Sequence, residues 1–72
     1  MKKEVVKIRE GEEYITLNVL LKITDIISTG GQAKYYLSEN KVLVNGIEEN
    51  RRGRKLYPGD EVNVVNKVYV IE

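Results

Sequence analysis

Six of the chain's cations, Lys34, Lys41, Arg51, Arg52, Arg54 and Lys55, fall between Thr29 and Lys55, and the last four of them occupy five positions. Set against Glu39, Glu48 and Glu49 they leave this stretch at +3, while the remaining residues sum to −2 and the whole chain to +1. Charge concentrated this way is the footprint of a surface that grips phosphates, and the near-neutral total conceals it. Cations this close repel one another unless a polyanion or an acidic partner is near. Binding to a nucleic-acid backbone is one reading of the run, and a solvated loop is the plainer one.

Ahead of the run, Thr29-Gly30-Gly31-Gln32-Ala33-Lys34 has the make-up of a helix start. The first N–H groups of a helix carry positive partial charge and no internal partner, and Gly30 and Gly31 would let a phosphate approach them. Thr29 would add a hydroxyl, and Lys34, one turn further in, a charge. The same glycines could instead loosen a tight turn between two helices, with Thr29 and Gln32 as caps. Tyr35 and Tyr57 flank the basic stretch and could stack on an unpaired base, although Tyr35 also suits the rim of a core; Tyr36 shares a face with Ala33 and Leu37 and reads as core.

The chain has no histidine and no cysteine, which removes disulfides, thiolate metal sites, the commonest metal ligand and the commonest general base. It contains no nucleophile set beside a base, no Walker-type phosphate loop and no metal constellation. Glu48 and Glu49 would point to opposite sides of a strand, and Asp60 suits a turn. A non-enzymatic protein without cofactor or metal is therefore expected. The 72 residues, 42% hydrophobic and 32% charged, make one ordered domain over 1–72. Apolar runs such as Val19-Leu20-Leu21 are too short for a membrane span or a signal-peptide core, so a cytoplasmic location is expected.

The elements that would position the cations follow from periodicity and turn chemistry. Glu4 to Ile8 reads as a strand ending at Glu10-Gly11-Glu12. Thr16 caps a first helix with Leu17, Leu20, Leu21 and Thr24 at stripe spacing, and Ile23, Ile26 and Ile27 widen that surface. Thr29 with Gln32 forms a capping-box pattern for a second helix bearing Ala33, Tyr36 and Leu37, which Asn40 ends through its tolerance of left-handed backbone. Val42 to Val44 is a strand, Asn45-Gly46 signals a type I′ hairpin, and Tyr57-Pro58-Gly59-Asp60 a type II turn. Between Glu61 and Ile71, Asn66-Lys67 is either a bend in one long strand or a hairpin turn. The Asn45-Gly46 hairpin would return the arginine run toward Lys41 and the helix carrying Lys34.

A leucine-rich first helix, a second helix with Ala33-Lys34 near its start, Val42-Leu43-Val44-Asn45-Gly46 and then Pro58-Gly59-Asp60 leading into a strand resemble, in that order, the S4-like (αL) RNA-binding domain over about residues 16–64. The resemblance implies an α+β fold, two short helices packed on a small, mostly antiparallel sheet, like the stand-alone small bacterial members of the family. It places Lys34 at a basic groove position, Lys55 ahead of the Pro-Gly-Asp turn and Asn45-Gly46 at the hairpin. Thr16-Leu17-Asn18 lacks the basic residue many relatives carry there, and Gly30 and Leu43 stand where relatives often have cations; Arg51, Arg52 and Arg54 would compensate from the loop. The expected function is a non-catalytic RNA-binding module holding structured RNA, ribosomal or transfer RNA, in a basic groove. That groove would comprise the second helix, the hairpin and the arginine loop: Thr29, Gly30, Gly31, Lys34, Lys41, Asn45, Arg51, Arg52, Arg54 and Lys55. With roughly four to six phosphates neutralised, affinity would fall with a log–log salt slope of about −3 to −4. The rival is a protein-interaction module docking on an acidic surface of a larger nucleic-acid-processing protein. A monomer is expected, since Lys2, Lys3 and Lys7 oppose strand pairing between copies.

Overall fold

The computed structural model of the protein describes residues 2–65 and 67–72. In chain order the elements are β1 (Lys2–Val6), β2 (Ile15–Thr16), α1 (Leu17–Ile23), α2 (Gly31–Glu39), β3 (Val42–Val44), β4 (Ile47–Glu48), β5 (Lys55–Leu56), β6 (Glu61–Val64) and β7 (Lys67–Ile71). Five strands form one sheet in the order β1-β7-β6-β3-β4, and β2 pairs with β5 in a second, two-stranded ladder. Among the described residues only the β1–β7 pair is parallel; the other pairs are antiparallel. Two helices packed on a mostly antiparallel sheet are the α+β architecture the sequence implies.

Thr16 starts α1 as expected, its Oγ1 accepting the Val19 N–H at 3.3 Å. Leu17, Leu20 and Leu21 are wholly buried, and each such leucine stabilises the fold by about 1.5–3 kcal/mol. Thr24 ends the helix, its N–H and its hydroxyl both donating to the Leu20 carbonyl. Only half of the capping box expected at the second helix forms. Gln32 Oε1 reaches back to the N–H groups of Ser28 and Thr29 at 2.7 and 3.2 Å. The cap residue, however, is Gly30, with helical φ −60° and ψ −29°, and no side chain caps the helix there. Ala33 and Leu37 are buried, and Tyr36 packs partly buried against them. Asn40 ends α2, although its backbone is extended (φ −129°, ψ 140°) rather than left-handed. It stops the helix by bonding, with its N–H and its Nδ2 both donating to the Tyr36 carbonyl.

Val6, Val42, Val44, Val62, Val64, Tyr69 and Ile71 meet the helices in one core, the alternation a sheet covered on one face demands. Asn45 and Gly46 turn β3 into β4 with φ of 53° and 83°, as a type I′ turn requires. Gly59 at φ 97° and the Asp60 N–H bond to the Tyr57 carbonyl at 3.0 Å make the type II turn before β6. The final apolar stretch is a hairpin and not one bent strand, because Val64 faces Lys67 across an antiparallel pair. Asn66, half of the dipeptide proposed for that turn, lies outside the described residues. The first strand runs from Lys2 to Val6 instead of Glu4 to Ile8, though the Ile8 N–H still bonds the Glu72 carbonyl at 2.9 Å.

Candidate nucleic-acid interface

The chain leaves β4 at Glu49, whose N–H donates to the Val42 carbonyl at 2.8 Å. Glu49 is a charged residue in the core's margin, only 8% exposed, and a carboxylate so placed needs donors. It finds them in the basic run. Oε2 accepts the Arg51 N–H and Nε at 3.1 and 2.9 Å, and Oε1 accepts Arg51 Nη2 and Arg54 Nη1 at 3.1 and 2.9 Å. The Arg51 side-chain bonds, aided by the Arg51 N–H, Arg54 and the Arg51 charge, outweigh the opposing effect of burial and hold the Glu49 carboxyl down at about 2. The same pairing pushes the Arg51 guanidinium up. The anion that the crowded cations require is thus supplied within the chain. Sequence reasoning treated Glu49 as one of two strand carboxylates; the available signal was its place two residues before Arg51 and five before Arg54.

The loop is fixed from a second side. The Arg54 and Arg52 carbonyls accept the Leu17 and Asn18 N–H groups at 2.9 and 2.8 Å, so loop backbone fills the first donors of α1. Arg54 Nε adds a 3.3 Å bond to the Lys55 carbonyl. The Arg52 side chain is exposed and, among the described residues, enters no ion pair with a carboxylate. Lys55 is also exposed, its Nζ 5.0 Å above the Tyr14 ring. Arg51, Arg54 and Lys55 line one cleft with Gly53, Tyr57 and Asp60.

The remaining candidates distribute around this loop. Gly30 lies against α1: a Cβ there would come 3.3 Å from Asn18 Nδ2, so its smallness serves the approach of the two helices. Asn18 Oδ1 is buried at that contact without a hydrogen-bond partner. Because the Asn18 N–H holds the Arg52 carbonyl, the start of α2, the start of α1 and the arginine loop form one continuous surface. Gly31 is exposed and open, an added Cβ meeting only Thr29 Oγ1 at 4.0 Å, and Thr29 and Lys34 are exposed beside it. Lys41 lines a separate depression with Glu39, Asn40, Leu43, Asn63 and Val65. Asn45 is engaged internally, its Nδ2 donating to Asp60 Oδ1 at 3.0 Å and its Oδ1 accepting the Glu61 N–H at 2.9 Å. The cleft itself contains no α2 residue, so the surface is centred on the loop and extends to α2 through Asn18.

Among the described residues no group of histidines, cysteines and carboxylates could hold a metal ion, and no helix is long and apolar enough to cross a membrane. Residues 6–72 match the family described as S4 domain. Over 52 residues the chain is 58% identical to a Bacillus subtilis (strain 168) protein named as a probable ribosome maturation protein, RlbA. That similarity covers 72% of this chain and 73% of the relative.

Proposed function

Since the chain belongs to the S4 domain family, we propose that it is a non-catalytic module that binds structured RNA through phosphate and shape. Ribosomal RNA is the favoured target, because the similar Bacillus protein is named for ribosome maturation. The observation that carries the reading is the anchoring of the arginine loop by Glu49 and by the first donors of α1. Cations held in place before binding lose less conformational freedom on contact, and so hold phosphates better than a floppy basic tail would.

Arg52, Lys55, Lys34 and Lys41 are the candidates without a carboxylate partner among the described residues, and they carry most of the phosphate contact. Arg51 and Arg54 shape the loop while sharing their charge with Glu49. The N–H groups of Gly30 and Gly31, together with the Thr29 hydroxyl, receive a further phosphate at the start of α2. Asn45 sets the hairpin and makes no contact of its own. Four cations on phosphates give a log–log salt slope of about −3, at roughly −0.7 per contact.

The test is binding of the purified protein to a structured ribosomal RNA hairpin and to a DNA duplex of equal length across a salt series. The expected result is RNA binding with a slope near −3 that becomes shallower by about 0.7 in Arg52→Ala. A slope near zero, or no RNA binding at physiological salt, overturns the reading and turns attention to an acidic protein surface as the loop's partner.

A further inference from the structure

Tyr57 stands at the wall of the cleft it shares with Arg51, Gly53, Arg54, Lys55 and Asp60, and it is 46% exposed. Its backbone is fixed on both sides: the N–H donates to Asp60 Oδ2 at 2.8 Å, and the carbonyl closes the type II turn by accepting the Asp60 N–H. Its ring packs against Tyr14, tilted 52° with centroids 5.7 Å apart. Lys55 Nζ in turn lies over the Tyr14 ring. Neither tyrosine belongs to the buried core, so the pair is not there to fill the interior. A phosphate-gripping surface alone has no need of a rigid, half-exposed aromatic ring between its cations. A nucleobase supplies what that ring lacks, an apolar face of matching size whose own phosphate carries a negative charge to neighbouring cations.

We propose that Tyr57 is a stacking platform for one unpaired base of the bound RNA, with Lys55 and Arg54 taking the phosphate beside it. The proposal rests on the RNA-binding reading and narrows it to RNA that carries a bulged or looped-out nucleotide. Because every base has a π-face, the contact distinguishes unpaired from paired more than one base from another. Tyr14 acts behind it as a positioning residue.

The experiment compares two RNAs that share one strand, a duplex in which a single 2-aminopurine is bulged and one in which an added opposing nucleotide pairs it, against the wild type, Tyr57→Phe and Tyr57→Leu. Thermal melts first establish that each variant is folded. The wild type is expected to bind the bulged RNA more tightly and to quench its 2-aminopurine, and Tyr57→Phe to keep both properties. Tyr57→Leu is expected to lose roughly 5- to 150-fold on the bulged RNA only, with its salt slope unchanged. Equal binding of both RNAs by the wild type, or a Tyr57→Leu loss shared equally between them, overturns the stacking role while leaving RNA binding intact. If the wild type binds neither RNA, both readings fall.

Discussion

Glu49 accepts four hydrogen bonds from the backbone and side chains of two arginines, and its neutral analogue should show how much of the loop depends on its charge. Glu49→Gln keeps the size but weakens the charge-assisted bonds, and we expect it to lower stability by about 1–2 kcal/mol in urea unfolding. RNA affinity should fall too, even though the chain becomes more positive, because Arg51 and Arg54 lose their common anchor. The pH dependence has a definite sign. The folded carboxyl titrates at about 2 against an ordinary 4.5, so between those values the unfolded chain binds more protons and stability rises with pH. The contribution is complete above about pH 4.5 and is lost as pH falls through about 2, a segment that Glu49→Gln should lack in a stability–pH profile. At this scale the sequence located the cations but treated them as equally available. The pairing of residue 49 with 51 and 54 lies in irregular backbone, where no periodicity announces which side chains meet.

At the level of elements, the two glycines at the start of α2 have different surroundings and should respond differently to a methyl group. Gly31→Ala enters open space in the first turn of a helix and should stabilise the fold by about 0.4–1 kcal/mol. It should at the same time weaken RNA binding if a phosphate reaches those N–H groups. Gly30→Ala pushes toward Asn18 on α1 and should give no such gain in a thermal melt; a matching rise would show that the two helices do not need the close approach. The turns were legible because their chemistry is local: positive φ at Gly46 and Gly59 is what Asn-Gly and Pro-Gly sequences announce. The half-formed capping box was less so, since Gln32 reaches back as the pattern predicts while no side chain caps the helix from its start. The loop's attachment to α1 was not legible at all, being made by carbonyl groups that every residue possesses.

For the whole molecule, a domain of this size has little stability in reserve. Leu20, fully buried where α1 meets the sheet, should cost about 2–5 kcal/mol as Leu20→Ala, a large share of that reserve and visible as a lowered melting transition. A variant that melts like the wild type would contradict the burial described. The α+β class was legible through the resemblance that the order of its motifs carries, beside two helical stripes and several short strands. The parallel union of β1 with β7 was not, because nothing local in either strand names a partner more than sixty residues away. That union also sets an order of events during translation. β7 lies inside the sheet, between β1 and β6, yet it is made after every other strand of that sheet. A nascent chain therefore carries β1 without its neighbour while everything between them is synthesised, whereas the bonds that anchor the cation loop join only residues 17 to 54 and need not wait for the closing strand.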